Sequence, residues 1–177
     1  MSLLPYLYSA FAEYSRTGKP PIRALVLDYP EDMEARMVDD EYLFGDSMLV
    51  CPLTYEDGTS RKVYLPQGRW YNFFTGTAVE GGRTMETEAA YNEIPVFVKD
   101  GAIIPLAKPV MHVDKDTVFE MTVKKFGEAD GRFVLYEDDF DTFTYEEKQK
   151  QIIIEKHPGS ELMIQTEAGD TSRYRFI

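Results

Sequence analysis

From Ile22 onward the chain never sustains a helical period, and this constrains its fold more than any other feature. Apolar residues come instead in short runs: Ile22 to Leu27, Met48 to Val50, Arg61 to Leu65, Ile94 to Val98, Ala102 to Leu106 and Val118 to Val123. Several of these runs alternate apolar and polar residues, as strands with one buried face do. Between the runs lie turn signals at Asp57-Gly58, Gln67-Gly68, Gly81-Gly82, Asp100-Gly101 and Asp130-Gly131. Strands that follow one another without intervening helices pair antiparallel, so the pattern predicts a mainly β protein built as an antiparallel sandwich.

One segment breaks the rule. Leu4, Leu7, Tyr8, Phe11 and Ser15 recur at the helical period between Leu3 and Thr17, and all but Ser15 are apolar or aromatic. Pro5 fits a first turn, Arg16 suits the C-terminal end of the dipole, and Gly18 supplies a left-handed stop before Pro20 and Pro21. A lone amphipathic helix needs a partner for its apolar stripe. Pro109 and a charged stretch from Lys108 to Asp116 interrupt the β pattern and divide it into two parts. The expected organisation is a helix over residues 1–21, a proximal sandwich over 22–108 and a smaller distal β unit over 109–177.

Charge and composition exclude several functions. A net charge of -12 argues against nucleic acid, since phosphate binding needs clustered Lys and Arg, and equally against an anionic membrane. An aromatic content of 14% fits a chain that buries a real core. No apolar run reaches the length of about 18 residues that a membrane span requires. The single cysteine, Cys51, cannot form an internal disulfide, which favours a reducing compartment, with the cytoplasm the expected location. Cys51 lies within an apolar run and reads as a small buried hydrophobe. Met1-Ser2-Leu3 reads as a start added for expression, so the native N-terminus is expected to lie elsewhere.

The candidate chemistry is sparse. Tyr136-Glu137-Asp138-Asp139-Phe140-Asp141 is the densest acidic cluster, and paired carboxylates can serve glycoside hydrolysis or hold calcium. Neighbouring residues of an extended strand point to opposite faces, however, so Asp138 and Asp139 do not readily flank one bond, and a polar strand exit is the preferred reading. In Trp70-Tyr71-Asn72-Phe73-Phe74, alternation separates Trp70 and Asn72 from Tyr71 and Phe73. Trp70 is kept as a candidate sugar contact, with core packing preferred. His112 and His157 lie in polar stretches without a second ligand at metal-binding spacing. Gly127-Glu128-Ala129-Asp130-Gly131 reads as a hairpin connection and not as a phosphate cradle. No catalytic residue, metal ligand or cofactor site is nominated.

Several strings nonetheless resemble, in order, the end of glycoside hydrolase family 31, the α-glucosidase and α-xylosidase group. Leu3-Leu4-Pro5-Tyr6-Leu7-Tyr8 is similar to the family's LLPYLY helix, which closes a catalytic (β/α)8 barrel. Arg23-Ala24-Leu25 with Tyr29-Pro30-Glu31-Asp32 resembles RPL…FPED. Asp40-Glu41-Tyr42-Leu43-Phe44-Gly45-Asp46-Ser47-Met48-Leu49-Val50 is similar to the family's DQF…FGDSLLV segment. Val63-Tyr64-Leu65-Pro66, Trp70-Tyr71 and Phe74-Thr75-Gly76 match VYLP.G.WYDFWTG, and Ile94 to Pro105 matches IPLFVRAGSIIP. Leu135-Tyr136-Glu137-Asp138-Asp139 and Tyr145-Glu146 resemble LYEDDG…YEKG. Phe140 stands where the family has a glycine, and Gln149 near the glycine of the second string.

The resemblance implies a parent enzyme that hydrolyses terminal α-glucosides or α-xylosides with retention, using two aspartates about 5 to 5.5 Å apart. Both belong to barrel segments upstream of the LLPYLY helix, so no residue here inherits their roles and the chain alone is expected to be inactive. Its implied partner is the catalytic barrel of the same polypeptide, and it meets α-linked oligosaccharides only through that parent. Self-association through the lone helix is the further expectation. A carbohydrate-binding module and a protein-interaction sandwich are the alternatives.

Overall fold

The computed structural model describes residues 1–54, 59–89, 93–114, 116–138, 150–166 and 173–177. The turn expected at Asp57-Gly58, and the residues Asp139, Phe140, Asp141, Tyr145, Glu146 and Gln149, lie outside the described residues. The chain is mainly β and divides into two compact units: Pro20–Asp100, and Met1–Lys19 together with Gly101–Ile177.

Among the described residues the first unit contains eight strands: β1 (Ile22–Arg23), β2 (Tyr42–Phe44), β3 (Met48–Val50), β4 (Ser60–Leu65), β5 (Arg69–Asn72), β6 (Ala78–Glu80), β7 (Arg83–Glu88) and β8 (Val96–Lys99). Six form one antiparallel sheet in the order β1-β2-β3-β8-β5-β6, and β4 and β7 form an antiparallel ribbon. Pairing places Leu43 opposite Leu49 and Leu49 opposite Phe97, a row of side chains on one face of the sheet. These pack with Trp70 from β5 and with Val63, Tyr64 and Leu65 from β4 in one core cluster. Sheet and ribbon thus enclose apolar side chains between them, which is what alternating strands require.

Ile22 to Leu27 is not one strand. Only Ile22 and Arg23 pair, and Leu25–Leu27 turns into a 3-10 helix. Backbone bonds from Leu27 to Ala24 and from Asp28 to Leu25 close the turn, and the Arg23 guanidinium clamps it by folding back onto Asp28. Continuous apolarity marks burial, and here burial is met by a helical turn with Leu25 fully enclosed.

The second unit holds α1 (Leu4–Thr17), β9 (Ile103–Ala107), β10 (Phe119–Lys125), β11 (Gly131–Glu137), β12 (Lys150–Lys156), β13 (Met163–Thr166) and β14 (Tyr174–Phe176). One sheet runs β14-β10-β9 and another β11-β12-β13. All these pairs are antiparallel except β10 with β14, which is parallel. The charged stretch around Lys108–Asp116 connects β9 to β10, neighbours in one sheet, whereas the division between units falls between Asp100 and Gly101. Residues 127–131 do not close a hairpin, because β10 and β11 belong to different sheets. The loop is instead gathered from within, Lys125 Nζ donating to the carbonyls of Phe126, Gly127 and Ala129.

α1 ends as the sequence predicts, with Gly18 left-handed at φ 77° and its N–H bonded to the Tyr14 carbonyl. Its buried face is not the expected stripe. Pro5, Tyr6 and Ser9 are buried, whereas Phe11 is 49% exposed. The helix packs on β9 and β11 of its own unit, with Tyr6 stacked on Phe133 at 5.5 Å between centroids. Ser9 decides this register. Its hydroxyl donates to the Pro5 carbonyl and accepts the Tyr136 N–H, so a polar residue can occupy the buried face fully bonded.

Candidate functional site

Trp70 is 1% exposed, and its indole Nε1 donates to the Pro66 carbonyl at 2.8 Å. The close turn at Gly81-Gly82 completes the enclosure: Gly81 donates to the Gly68 carbonyl, and a Cβ there would meet Pro66 O and the indole edge. Lys99 Nζ stands 6.0 Å from the Trp70 ring and 5.2 Å from that of Tyr29. Of the aromatic block, Phe74 faces solvent and packs edge-on against Phe73.

Asp138 accepts a hydrogen bond from the Tyr8 hydroxyl, tying the end of β11 to α1. Burial and this bond push the Tyr8 phenol well above its ordinary range. Glu137 is buried and accepts the Arg173 N–H at 2.7 Å, closing the neighbouring strand end. The structure therefore engages both described carboxylates of the acidic cluster in fastening strand ends. His157 and Asp130 pair at 2.8 Å at the exposed end of β12, and His112 lies 3.5 Å from Asp114 on an exposed loop. Cys51 is fully buried, and burial drives its thiol well above the ordinary value. Among the described residues no group of three or more His, Cys, Asp or Glu side chains is arranged to hold a metal.

Two buried arginine clusters did not stand out as clusters in the sequence. Arg23 makes a two-pronged pair with Asp28, at 2.7 and 2.5 Å, and bonds the Gly45 and Pro20 carbonyls and Asp46. Asp32 accepts the Tyr64 hydroxyl at 2.6 Å and caps the N–H groups of Glu34 and Ala35, and these bonds hold its carboxyl below the usual range although its partial burial opposes them.

The second cluster is centred on Arg61 and Glu41, side chains each 2% exposed and 3.3 Å apart. Arg61 also donates to the carbonyls of Lys62, Asp40 and Pro52 and to the Asp40 carboxylate. Glu41 Oε1 accepts the Tyr64 N–H at 2.8 Å, while Oε2 is buried with no partner among the described residues. Burial raises the Glu41 carboxyl to about 7, with Asp40 adding to the effect and the Tyr64 N–H and Arg61 opposing it. A signal for this cluster was present: Arg61 shares strand parity with Val63 and Leu65, and Glu41 with Leu43, all core positions. In both clusters the buried guanidinium is braced by backbone carbonyls, which suits them to hold segments together.

Several residues of the motif strings thus serve as structural fastenings, and comparison with known proteins identifies the family. Residues 18–104 match the model of the glycosyl hydrolase family 31 C-terminal domain. An α-xylosidase of Saccharolobus solfataricus is 36% identical over 153 residues, 85% of this chain and 21% of that protein. An isomaltosyltransferase of Sporosarcina globispora is 42% identical over 106 residues, 60% of this chain and 10% of its own length. The crystal structure of an α-xylosidase from Xanthomonas citri superposes with a TM-score of 0.88 at 36% identity, covering 99% of this chain and 20% of that one. The chain therefore spans about a fifth or less of the length of these relatives, and it belongs, through its C-terminal domain, to glycosyl hydrolase family 31.

Proposed function

We propose that this chain is the non-catalytic C-terminal support of a retaining α-glycosidase, buttressing an upstream catalytic barrel of the same polypeptide. The observation that carries the reading is the match of residues 18–104 to a domain described as C-terminal, in a chain one-fifth the length of the α-xylosidase it superposes on. The interior supports it too: the described carboxylates of the acidic cluster and the two buried arginines are spent on internal fastening. On α1, Phe11 and Tyr14 are 49% and 46% exposed one turn apart, an apolar face suited to packing against further protein. In this reading α1 is the last helix of that barrel.

The parent acts on terminal α-glucosides or α-xylosides, and the chain alone is inactive. Relatives named for hydrolysis and for glycosyl transfer share this region, so the choice between these reactions is made in the barrel. The test is hydrolysis of aryl α-glucoside and α-xyloside by the purified chain. Turnover above background, abolished by no upstream segment, would overturn the proposal. Titration calorimetry against malto- and xylo-oligosaccharides separates it from a carbohydrate-binding module, for which binding heat is required.

A further inference from the structure

Glu41 sits where the six-stranded sheet meets the β4–β7 ribbon. It immediately precedes β2, yet its carboxyl reaches β4, where Oε1 takes the Tyr64 backbone N–H. Arg61, on the same strand, ties β4 to the Asp40 carbonyl before β2 and to the Pro52 carbonyl after β3. Every N–H of that guanidinium is committed: Nε to Lys62, Nη1 to Asp40 and Pro52, Nη2 to the carboxylates of Asp40 and Glu41.

The charge balance of this cluster is uneven. One guanidinium faces two carboxylates, and it lies nearer Asp40, at 2.8 Å, than Glu41, at 3.3 Å. Asp40 is partly solvated, with 38% of its side chain exposed, whereas Glu41 is enclosed and its Oε2 has no partner among the described residues. Among the described residues the other titratable group facing it is Cys51, which is fully buried. With Asp40 ionised, Arg61 is already neutralised. A second negative charge on Glu41 is then uncompensated where no described residue offers a donor to Oε2, and such a charge is expensive.

We propose that Glu41 is a proton-operated clasp within the proximal unit: neutral, it fastens β4 to the segment before β2, and ionised, it releases that segment from β4. The release is local: it opens the side of the core cluster that holds Cys51 and Tyr64, and partial openings below the global unfolding free energy are general in folded proteins. The carboxyl returns to its ordinary value of 4.5 once solvated, so ionisation favours the released form throughout the range between there and the folded value of about 7.

Cys51 is a built-in reporter, being the only thiol in the chain and wholly enclosed when the clasp is closed. Its rate of alkylation by a neutral maleimide is measured from roughly pH 5.5 to 8.5 in the full chain and in Glu41→Gln. Dividing one rate by the other removes the titration of the thiol itself. The ratio of wild type to variant is expected to rise by roughly thirtyfold over that range. A ratio that stays constant overturns the clasp. Exchange of the Tyr64 amide, read in the unmodified chain, gives the second measurement and does not require the variant to fold. Its protection, corrected for intrinsic rate, should fall across the same interval while that of Asn72, bonded to the Thr77 carbonyl, holds. Parallel behaviour of the two amides counts against the proposal.

Discussion

A Cβ built on Gly131 would lie 2.5 Å from the carbonyl oxygen of Gly101, and one on Gly101 would lie 2.4 Å from the carbonyl of Asp130. The start of β11 and the turn before β9 therefore approach backbone to backbone, with Gly101 at φ 85° in the left-handed region. Gly131 does not have a positive φ, so its need for glycine is purely steric. Gly131→Ala is expected to cost about 2 to 4 kcal/mol, because the obstruction is main chain and cannot swing aside. Gly159, at φ 73° with open space around it, is the contrast, and Gly159→Ala should cost about 1 kcal/mol. Urea denaturation of both variants decides, and equal losses would contradict the steric account.

Trp70 was legible as core because a strand's alternation separates it from Tyr71, and large aromatics usually supply buried area. The helix end was legible from Gly18 and the two prolines after it. The face α1 buries was not. Apolarity pointed to Leu4, Leu7, Tyr8 and Phe11, but Ser9 is buried through two hydrogen bonds that only the tertiary fold provides. The partner of β10 was equally hidden, since Tyr174 to Phe176 lies far along the chain and runs parallel to it. Periodicity reports which residues prefer burial, and it carries no information on which strand will lie alongside.

Arg23 fastens Asp28 through two parallel bonds while holding the carbonyls of Gly45 and Pro20. A lysine keeps the charge but cannot present several donors in a plane. Arg23→Lys should lose about 2 to 4 kcal/mol, since the side chain is 2% exposed and Asp28 would be left incompletely bonded. The midpoint of chemical denaturation reports the loss. A midpoint unchanged from wild type would show that a point charge suffices.

The single tryptophan makes fluorescence a direct check on its placement. An indole 1% exposed should emit to the blue of free indole, resist acrylamide, and shift red only as the chain unfolds. Trp70→Phe removes the bond to Pro66 and part of the ring, with an expected cost of about 1 to 3 kcal/mol. Saturating malto- or xylo-oligosaccharide should leave the wild-type spectrum unchanged. A sugar-dependent shift or ready quenching would place the ring at a surface.

Glu41 predicts a slope in global stability. Its folded value of about 7 lies above its ordinary 4.5, so the unfolded chain loses this proton first as pH rises. Below the ordinary value the group makes no difference. Between the two values stability falls, by up to about 3 kcal/mol, and above the folded value the loss is complete. Glu41→Gln should flatten that slope, so the variant gains on the wild type steadily from roughly pH 5 to pH 8. Urea midpoints at several pH values test it, and parallel curves would exclude Glu41 as the source.

The exposed side of α1 makes the last prediction. Phe11 and Tyr14 stand on the surface in a helix whose other face is fixed by Tyr6 and Ser9. Turning the helix to hide them would break the Ser9 bonds and the Tyr6–Phe133 stack, so the patch persists whenever the unit is folded. In isolation it can be covered by a second copy of the chain. Sedimentation velocity should therefore show a concentration-dependent increase in mass for the wild type. Phe11→Glu, a change at a half-exposed helical position, should remove most of it while altering stability by about 0.5 kcal/mol or less. If the variant associates as strongly as the wild type, another surface is responsible and α1 is not the contact.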